Sequence, residues 1–135
     1  MKALDTSVLL ALLEGEPGAR ELLKPLRGVE VATTEANLLE LAYLAARGPD
    51  RHRAARREAL GRLRRKLTVL PIDARSGETA AHHLGRGGEC PPPLVTAMMS
   101  ALESYGCEEL LTLDPPGSWG KWKVRVTRIR LRHHK

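Results

Sequence analysis

Short β-prone segments alternate with helical segments along this 135-residue chain. The strand candidates are short apolar or alternating runs bounded by turn or capping residues, and they cover residues 2–4, 29–33, 67–72, 109–113 and 122–131. Parallel neighbouring strands need a long crossover between them, which is usually a helix. The alternation therefore predicts an α/β fold, a three-layer α/β/α sandwich with a central, mostly parallel sheet. No repeat or linker divides the chain, so a single domain is expected over residues 1–135.

Helical periodicity and capping residues predict the helices that lie between these strands. The helix candidates cover residues 7–14, 19–26, 35–46, 51–66, 74–84 and 94–105. Ser7, Thr34 and Asp50 are suitable N-caps, because their side-chain oxygens can accept a hydrogen bond from a free backbone N–H at a helix start. Residues 85–93 are predicted to form a flexible turn that ends in three prolines.

The charge of the chain indicates its class of partner. A formal net charge of +6 and a pI near 9.8 favour polyanions, with nucleic acid as the first candidate. Residues 51–66 hold eight Arg or Lys residues against Glu58 alone, which predicts one helix with a basic solvent-facing side. A solvated helix without a ligand is the alternative. Because the chain has no Phe, phosphate contacts should dominate over base stacking.

Cysteine usage and hydropathy predict the compartment. The two cysteines, Cys90 and Cys107, lack the spacing of a zinc site and are predicted to be free thiols. The N-terminus lacks the pattern of a secretory signal, and the apolar runs are far shorter than the ~20 residues that a membrane span requires. We therefore expect a cytoplasmic protein that does not bind membranes.

Three separated acidic residues lie at the edges of apolar elements: Asp5, Glu40 and Asp114. Asp5 and Asp114 follow strand candidates, and Glu40 lies on the helix that follows another. In an open α/β sheet the carboxyl ends of parallel strands form one edge, where ligands bind. Three carboxylates that meet there repel one another without a cation, and their oxygens suit Mg²⁺ or Mn²⁺. Taken singly, the alternatives are a helix cap, an exposed helical charge and a turn residue.

The segments around these acidic residues resemble the PIN domain. The resemblance rests on Leu4-Asp5-Thr6-Ser7, on residues 33–41 and on Leu111-Thr112-Leu113-Asp114, in the expected order and over nearly the whole chain. It is close to the small VapC-type toxins. The resemblance implies a Mg²⁺- or Mn²⁺-dependent endoribonuclease that hydrolyses RNA phosphodiester bonds, and it implies a homodimer and a cognate antitoxin protein.

The same resemblance assigns roles to individual residues. Asp5, Glu40 and Asp114 match the catalytic, metal-binding carboxylates of the family, and the hydroxyls of Thr6 and Thr112 match supporting groups that orient them. We therefore predict a metal-dependent endoribonuclease that is the toxin of a type II toxin-antitoxin pair.

One expected carboxylate is absent. Family members usually carry another aspartate at the start of the penultimate helix, where this chain has Pro93 or, with a shift of one residue, Leu94. Neither side chain can ligate a metal. Glu89, Glu103 or the hydroxyl of Thr96 could complete a weaker site. The alternative function is therefore a degenerate PIN module that binds RNA or a partner protein without cleavage.

Three pairs of conspicuous residues are predicted to have structural roles: His82 with His83, Met98 with Met99, and Trp119 with Trp122. The histidines have no second ligand spacing and should be exposed or partly packed. The methionines belong to the apolar stripe of a core or dimer helix. The tryptophans should pack the final strand against the sheet. The basic residues after position 124 either contact an RNA backbone or form a frayed tail.

Overall fold

The central element of the fold is a single sheet of parallel strands. The computed structural model describes residues 1–84, 90–115, 117 and 119–131. Its strands are β1 (Lys2–Leu4), β2 (Val31–Thr34), β3 (Thr68–Leu70), β4 (Glu109–Thr112) and β5 (Arg125–Arg128). They form one sheet in the order β3-β2-β1-β4-β5, and every ladder is parallel. The predicted α/β/α architecture is confirmed.

The helices connect the strands as the alternation predicts. They are α1 (Thr6–Leu13), α2 (Glu35–Ala46), α3 (Asp50–Arg65), α4 (Ala74–Leu84) and α5 (Pro93–Ser104), with a 3₁₀ helix over Ala19–Leu26. The predicted bounds of α2 and α4 are confirmed. The segment Ala19–Leu26 was expected to be an α-helix, but it contains Pro25, which has no N–H to donate. Within the part of the chain that the structure describes, no helix has the length and apolar character needed to cross a membrane.

Two predicted N-caps are wrong. The N-cap of α1 is Asp5, whose carboxylate accepts a hydrogen bond from the backbone N–H of Val8 at 3.2 Å, and Ser7 lies inside the helix. The N-cap of α3 is Pro49, which has no side-chain acceptor, and Asp50 is already helical. The Asp50 carboxylate is instead paired with Arg53 at 2.7 Å. The predicted cap at Thr34 is confirmed, because its hydroxyl accepts from Asn37 N.

The predicted bounds of β1 are confirmed, whereas the other strands, α1, α3 and α5 differ from their predicted bounds by one to a few residues. An apolar run can extend beyond the point where a neighbouring strand pairs with it. Val29, for example, was predicted to begin a strand, but its N–H donates to the carbonyl of Leu26 at the end of the 3₁₀ helix. Helix α5 begins one residue earlier than predicted, at Pro93, where the missing N–H of proline costs nothing. The predicted turn over 85–93 lies partly outside the described residues.

Each face of the sheet packs against its own apolar cluster. Ala3 and Leu110 belong to a cluster with Met99 of α5, whereas Leu4 and Leu111 belong to a cluster with residues of α1. Successive strand residues point to opposite faces, which produces this division. We call the two sides the α5 face and the α1 face. The sheet is therefore covered on both sides, as parallel sheets require.

The structural roles predicted for the three conspicuous pairs are confirmed. Met98 and Met99 are buried, and Trp119 and Trp122 pack against the cluster on the α5 face. His83 is partly buried and bonds to Glu103, while His82 is exposed. Leu94, in the first turn of α5, is exposed. Cys90 and Cys107 are free thiols.

A charged row crosses three strands at the amino end of the sheet. Lys2, Glu109 and Arg125 lie opposite one another on β1, β4 and β5, and the Glu109 carboxylate is 3.2 Å from a nitrogen of each cation. The hydroxyl of Thr127 also donates to Glu109. This hydrogen bond, followed by the two cations, holds the pKa of Glu109 below its ordinary value of 4.5 although burial opposes the shift.

The lowered pKa of Glu109 predicts an acid-dependent loss of stability. The unfolded chain binds a proton near pH 4.5 and the folded chain only at lower pH, so the contribution of Glu109 is complete above that value and is lost as the pH falls through the folded pKa. Glu109→Gln should lower the unfolding free energy at neutral pH and flatten its decline between about pH 5 and pH 3. Urea unfolding across this range measures both effects. Glu58→Gln, at a side chain that is 74% exposed, is the control and should leave the profile unchanged.

Candidate metal centre

The predicted site begins with two carboxylates at the carboxyl edge of the sheet. Asp5 follows β1 directly, and Asp114 lies two residues after β4. The two strands are adjacent, and the N–H of Asp5 donates to the carbonyl of Leu111 at 3.2 Å, which extends their ladder to this edge. Asp5 is 4% exposed, whereas Asp114 is exposed. The structure therefore brings these two predicted residues to the same place.

Hydrogen bonds fix the Asp5 carboxylate. Its Oδ1 accepts from the hydroxyl of Ser7 at 2.6 Å and from the N–H of Val8 at 3.2 Å. Burial raises the pKa of Asp5 above its ordinary value of 3.8, and the nearby charge of Asp114 raises it further. Hydrogen bonds from Ser7, Thr112 and Val8 oppose this rise. Asp5 is thus a preoriented carboxylate whose negative charge is disfavoured by its surroundings.

Two hydroxyls link the two acidic segments. The oxygens of Ser7 and Thr112 are 3.3 Å apart. The Ser7 hydroxyl accepts from the N–H of Leu113 at 2.9 Å, and the Thr112 hydroxyl accepts from the N–H of Asp114 at 3.0 Å. The turn that carries Asp114 is therefore tied to the start of α1. This contact of Thr112 agrees with the supporting role that the resemblance implies.

Asn37 connects the start of α2 to the same site. Its Oδ1 accepts from the hydroxyl of Thr34 at 2.7 Å, and its Nδ2 donates to the hydroxyl of Thr6 at 3.1 Å and to the sulfur of Met98 at 3.1 Å. Asn37 is buried and joins β2, α1 and α5 through these bonds. Thr6 therefore orients α2 and does not bond to a carboxylate among the described contacts.

Glu40 lies one helical turn beyond Asn37 on α2 and is half buried. Residues three apart on a helix share a face, so Glu40 projects on the side of α2 that carries Asn37. Within residues 1–84, 90–115, 117 and 119–131, however, no three His, Cys, Asp or Glu side chains form a group that could hold a metal ion. Asp5 and Asp114 are close, and the metal-binding roles of Asp5, Glu40 and Asp114 remain predictions.

The start of α5 supplies no carboxylate to this site. Pro93 is the first residue of the helix and Leu94 points to solvent. Of the three possible replacements, Glu89 lies outside the described residues, and the hydroxyl of Thr96 donates to the carbonyl of Pro91 at 3.3 Å. Glu103 is bound to His83 at 2.8 Å and accepts from the N–H of Lys123. The described site therefore rests on two close carboxylates.

Sequence comparison identifies the family. Residues 2–114 match the model of the PIN domain, which covers both acidic strand ends and α2 between them. The chain therefore belongs to the PIN domain family, as its resemblance predicted. A comparison with curated proteins gave no match.

Solved structures share the fold of this chain. VapBC2 from Rickettsia felis, bound to a DNA fragment from its promoter, is 14% identical with a TM-score of 0.76, over 95% of this chain and 98% of that one. VapBC-5 from Mycobacterium tuberculosis, a member of the VapBC family of toxin-antitoxin systems, is 25% identical with a TM-score of 0.66, over 95% and 98%. VapC20 of the same organism, a Sarcin-Ricin loop cleaving toxin, is 21% identical with a TM-score of 0.60, over 88% and 92%.

Sequence reasoning missed two residues of the site. Ser7 was assigned to the cap of α1, although its hydroxyl bonds to Asp5 and to the turn before Asp114. Asn37 was not singled out. Its signal is the spacing Thr34-Glu35-Ala36-Asn37 at a helix start, which resembles a capping box, where a polar side chain at the third helical position bonds back to the cap.

Proposed function

We propose that this chain is a divalent-cation-dependent endoribonuclease, the toxin of a type II toxin-antitoxin pair. The observation that carries the proposal is the proximity of Asp5 and Asp114 at the carboxyl edge of adjacent parallel strands. The buried Asp5 loses favourable hydration and faces a second negative charge. A bound cation offsets both costs.

The two carboxylates fit the requirements of Mg²⁺ or Mn²⁺. Mg²⁺ prefers oxygen ligands, keeps several of its waters and is usually held by one or two carboxylates together with substrate phosphates. Asp5 and Asp114 would hold the ion, and Glu40 would contribute from α2. When bound, such a cation supplies charge stabilisation at the phosphate and lowers the pKa of water. A site with few protein ligands leaves room for the phosphate.

The residues of this chain have defined tasks in the proposed reaction. Ser7 and the N–H of Val8 hold Asp5 in one orientation, so its carboxylate presents a fixed geometry. Thr112 fixes the turn that carries Asp114. Positioning of this kind lowers the entropic cost of bringing the reacting groups together. Asn37 keeps the start of α2 against α1, which sets the position of Glu40.

RNA is the proposed substrate. The net charge of +6 favours a polyanion, and helix α3 carries a basic surface on which Arg51, Arg57 and Arg64 are exposed. The relative VapC20 is described as cleaving the Sarcin-Ricin loop, which is consistent with RNA as the substrate of this fold. The few aromatic residues favour backbone contacts.

An antitoxin is the proposed protein partner, because VapBC-5 belongs to a toxin-antitoxin family. A cavity of about 240 Å³ beside α3 provides an apolar surface that the antitoxin could cover. Its lining includes Leu12, Leu23, Leu26, Leu63 and Leu67. A homodimer is also proposed. Leu39 and Tyr43, on the exposed side of α2, are 71% and 63% exposed and would be covered in it.

A PIN module that binds RNA without cleavage is the second candidate. Its supporting observation is the start of α5, where Pro93 and Leu94 stand in place of an acidic residue. Loss of one oxygen ligand weakens the binding of a hard cation. The two candidates differ in a single measurable property, which is the formation of cleaved product.

Cleavage should require the metal and Asp114. We expect a labelled structured RNA to be cut only when Mg²⁺ or Mn²⁺ is added. Asp114→Asn should lower the cleavage rate by at least about 100-fold, because loss of a group that merely supports a metal ligand already lowers metal affinity or activity by about 10–100-fold. Product formation on denaturing gels over a Mn²⁺ titration measures this. Glu40→Gln should also reduce the rate, and Glu21→Gln is the control. Metal-independent binding without an Asp114-sensitive product would favour the second candidate.

A further inference from the structure

One row of residues runs across the carboxyl edge of the sheet from the metal centre to β5. Leu4 lies opposite Leu111, so Asp5 falls beside Thr112, which in turn lies opposite Arg128. The N–H of Ile129 donates to the carbonyl of Thr112 at 2.8 Å, which continues this register past the end of β5. Adjacent strands are about 4.8 Å apart, so the backbones at Asp5 and Arg128 are about 10 Å apart.

The side chains of this row emerge on one face. Residues in register on neighbouring strands point the same way, and the preceding residues of the same parity, Ala3, Leu110 and Val126, all contact the cluster on the α5 face. Asp5, Thr112 and Arg128 therefore project on that side. Arg130 has the same parity as Arg128 and lies two residues beyond it.

The arginines of this segment differ in their partners. Arg125, at the amino end of β5, is paired with Glu109 at 3.2 Å on the α1 face. Arg128 and Arg130 are exposed, and neither forms an ion pair with a carboxylate of the described residues. The ladder fixes the backbone of Arg128 beside the site while its guanidinium remains available.

We propose that Arg128, assisted by Arg130, binds a backbone phosphate of the RNA strand next to the phosphate that is held at Asp5 and Asp114. This inference rests on the proposed function for the identity of the substrate. A guanidinium presents several N–H donors in a plane and matches the paired oxygens of a phosphate. An arginine beside the carboxylate pair also offsets the negative potential that this pair directs at an approaching strand.

The row further predicts a direction for the bound strand. One phosphate lies at Asp5 and Asp114, and the next contact lies toward β5, across Thr112. The RNA backbone would therefore cross the strand ends from β1 toward β5 at this point.

The test is the salt dependence of RNA binding, measured without cleavage. A fluorescein-labelled single-stranded oligouridylate is titrated in EDTA over a series of NaCl concentrations, and binding is followed by fluorescence anisotropy. Arg128→Gln should reduce the magnitude of the slope of log affinity against log salt by about 0.7, the value for one phosphate contact on a single strand. Arg128→Gln with Arg130→Gln should reduce it by about twice that amount. Arg128→Lys should retain the slope, because it keeps the charge.

Arg125→Gln is the matched control, since it removes the same charge from the same strand at the opposite end. Its slope should equal that of the wild type. Equal slopes for wild type and Arg128→Gln, equal losses at Arg125 and Arg128, or no RNA binding by the wild type would each overturn the proposal. A wild type that binds RNA through Arg128 but yields no product with Mn²⁺ would support the phosphate contact and contradict the nuclease. A wild type that cleaves RNA but whose salt slope does not depend on Arg128 would support the nuclease and contradict the phosphate contact.

Discussion

Asp5→Asn should abolish cleavage while it leaves the domain folded and at least as stable. Asparagine keeps Oδ1, so it can still accept the hydrogen bonds of the Ser7 hydroxyl and the Val8 N–H, and it is as good an N-cap as aspartate. It removes the negative charge that would bind the cation. We expect the cleavage rate to fall by at least about 100-fold, by the same argument as for Asp114.

The stability of this variant follows from the raised pKa of Asp5. Because folding raises that pKa, ionisation of Asp5 costs folding free energy, and the unfolding free energy of the wild type declines as the pH rises through the folded pKa. Asparagine does not ionise. In EDTA at neutral pH the variant should therefore unfold at an equal or higher temperature than the wild type.

Divalent cations should then stabilise only the wild type. A ligand that binds only the native state raises the unfolding free energy, and the increase is proportional to the logarithm of the ligand concentration once that concentration exceeds Kd. Added Mn²⁺ should raise the wild-type Tm and leave that of Asp5→Asn unchanged. A variant that loses activity because it is unfolded, or one that still cleaves RNA, would contradict the assigned role. An equal Mn²⁺ effect on both proteins would place the metal elsewhere.

Leu110→Ala should produce the largest loss of stability. Leu110 lies at the middle of β4, between β1 and β5, and has no exposed surface. Its side chain belongs to the cluster on the α5 face with Met99 and Leu102. Removing a buried leucine side chain loses its transfer free energy and leaves a cavity, so we expect a loss of about 2–5 kcal/mol in urea unfolding.

Leu39→Ala is the matched control for this change. The same atoms are removed from a side chain that is 71% exposed on α2. Because the proposed homodimer would cover Leu39, unfolding is measured at a concentration where the protein is monomeric, and the unfolding free energy should then change by less than about 0.5 kcal/mol. A comparable loss in both variants of the monomeric protein would contradict the exposure of Leu39 on α2. A loss near zero at Leu110 would contradict the packing described for β4.

The order of elements could be predicted from the sequence because each depends on local patterns. The period of α2 and the cap at Thr34 lie within its own residues, and both are confirmed. The ends of strands depend on pairing with residues far along the chain, as at Val29, and local composition does not contain that information. The 3₁₀ geometry of Ala19–Leu26 likewise depends on more than composition. Pro25 has no N–H, so the geometry depends on which backbone carbonyls the remaining N–H groups can reach.

The candidate site could be predicted only in part for a similar reason. Asp5 and Asp114 follow strands, so a parallel sheet places both at one edge. Their proximity also requires that β1 and β4 be neighbours, which the structure shows. The contacts of Ser7 with Leu113 and of Asn37 with Met98 join segments more than 60 residues apart. They depend on how α1, α2 and α5 pack, which the periodicity of each helix does not specify. The position of Glu40 relative to the two aspartates has the same dependence.

The double use of Asp5, as helix cap and as carboxylate of the site, bears on how such a protein can change over generations. A single transition in an aspartate codon produces asparagine, which keeps the cap and its hydrogen bonds but removes the charge. If the chain is the proposed nuclease, loss of cleavage is therefore one nucleotide change away, and it carries no folding defect for selection to remove. A variant of this kind would stay folded, so it could still bind the RNA and the protein partner that are proposed for this chain.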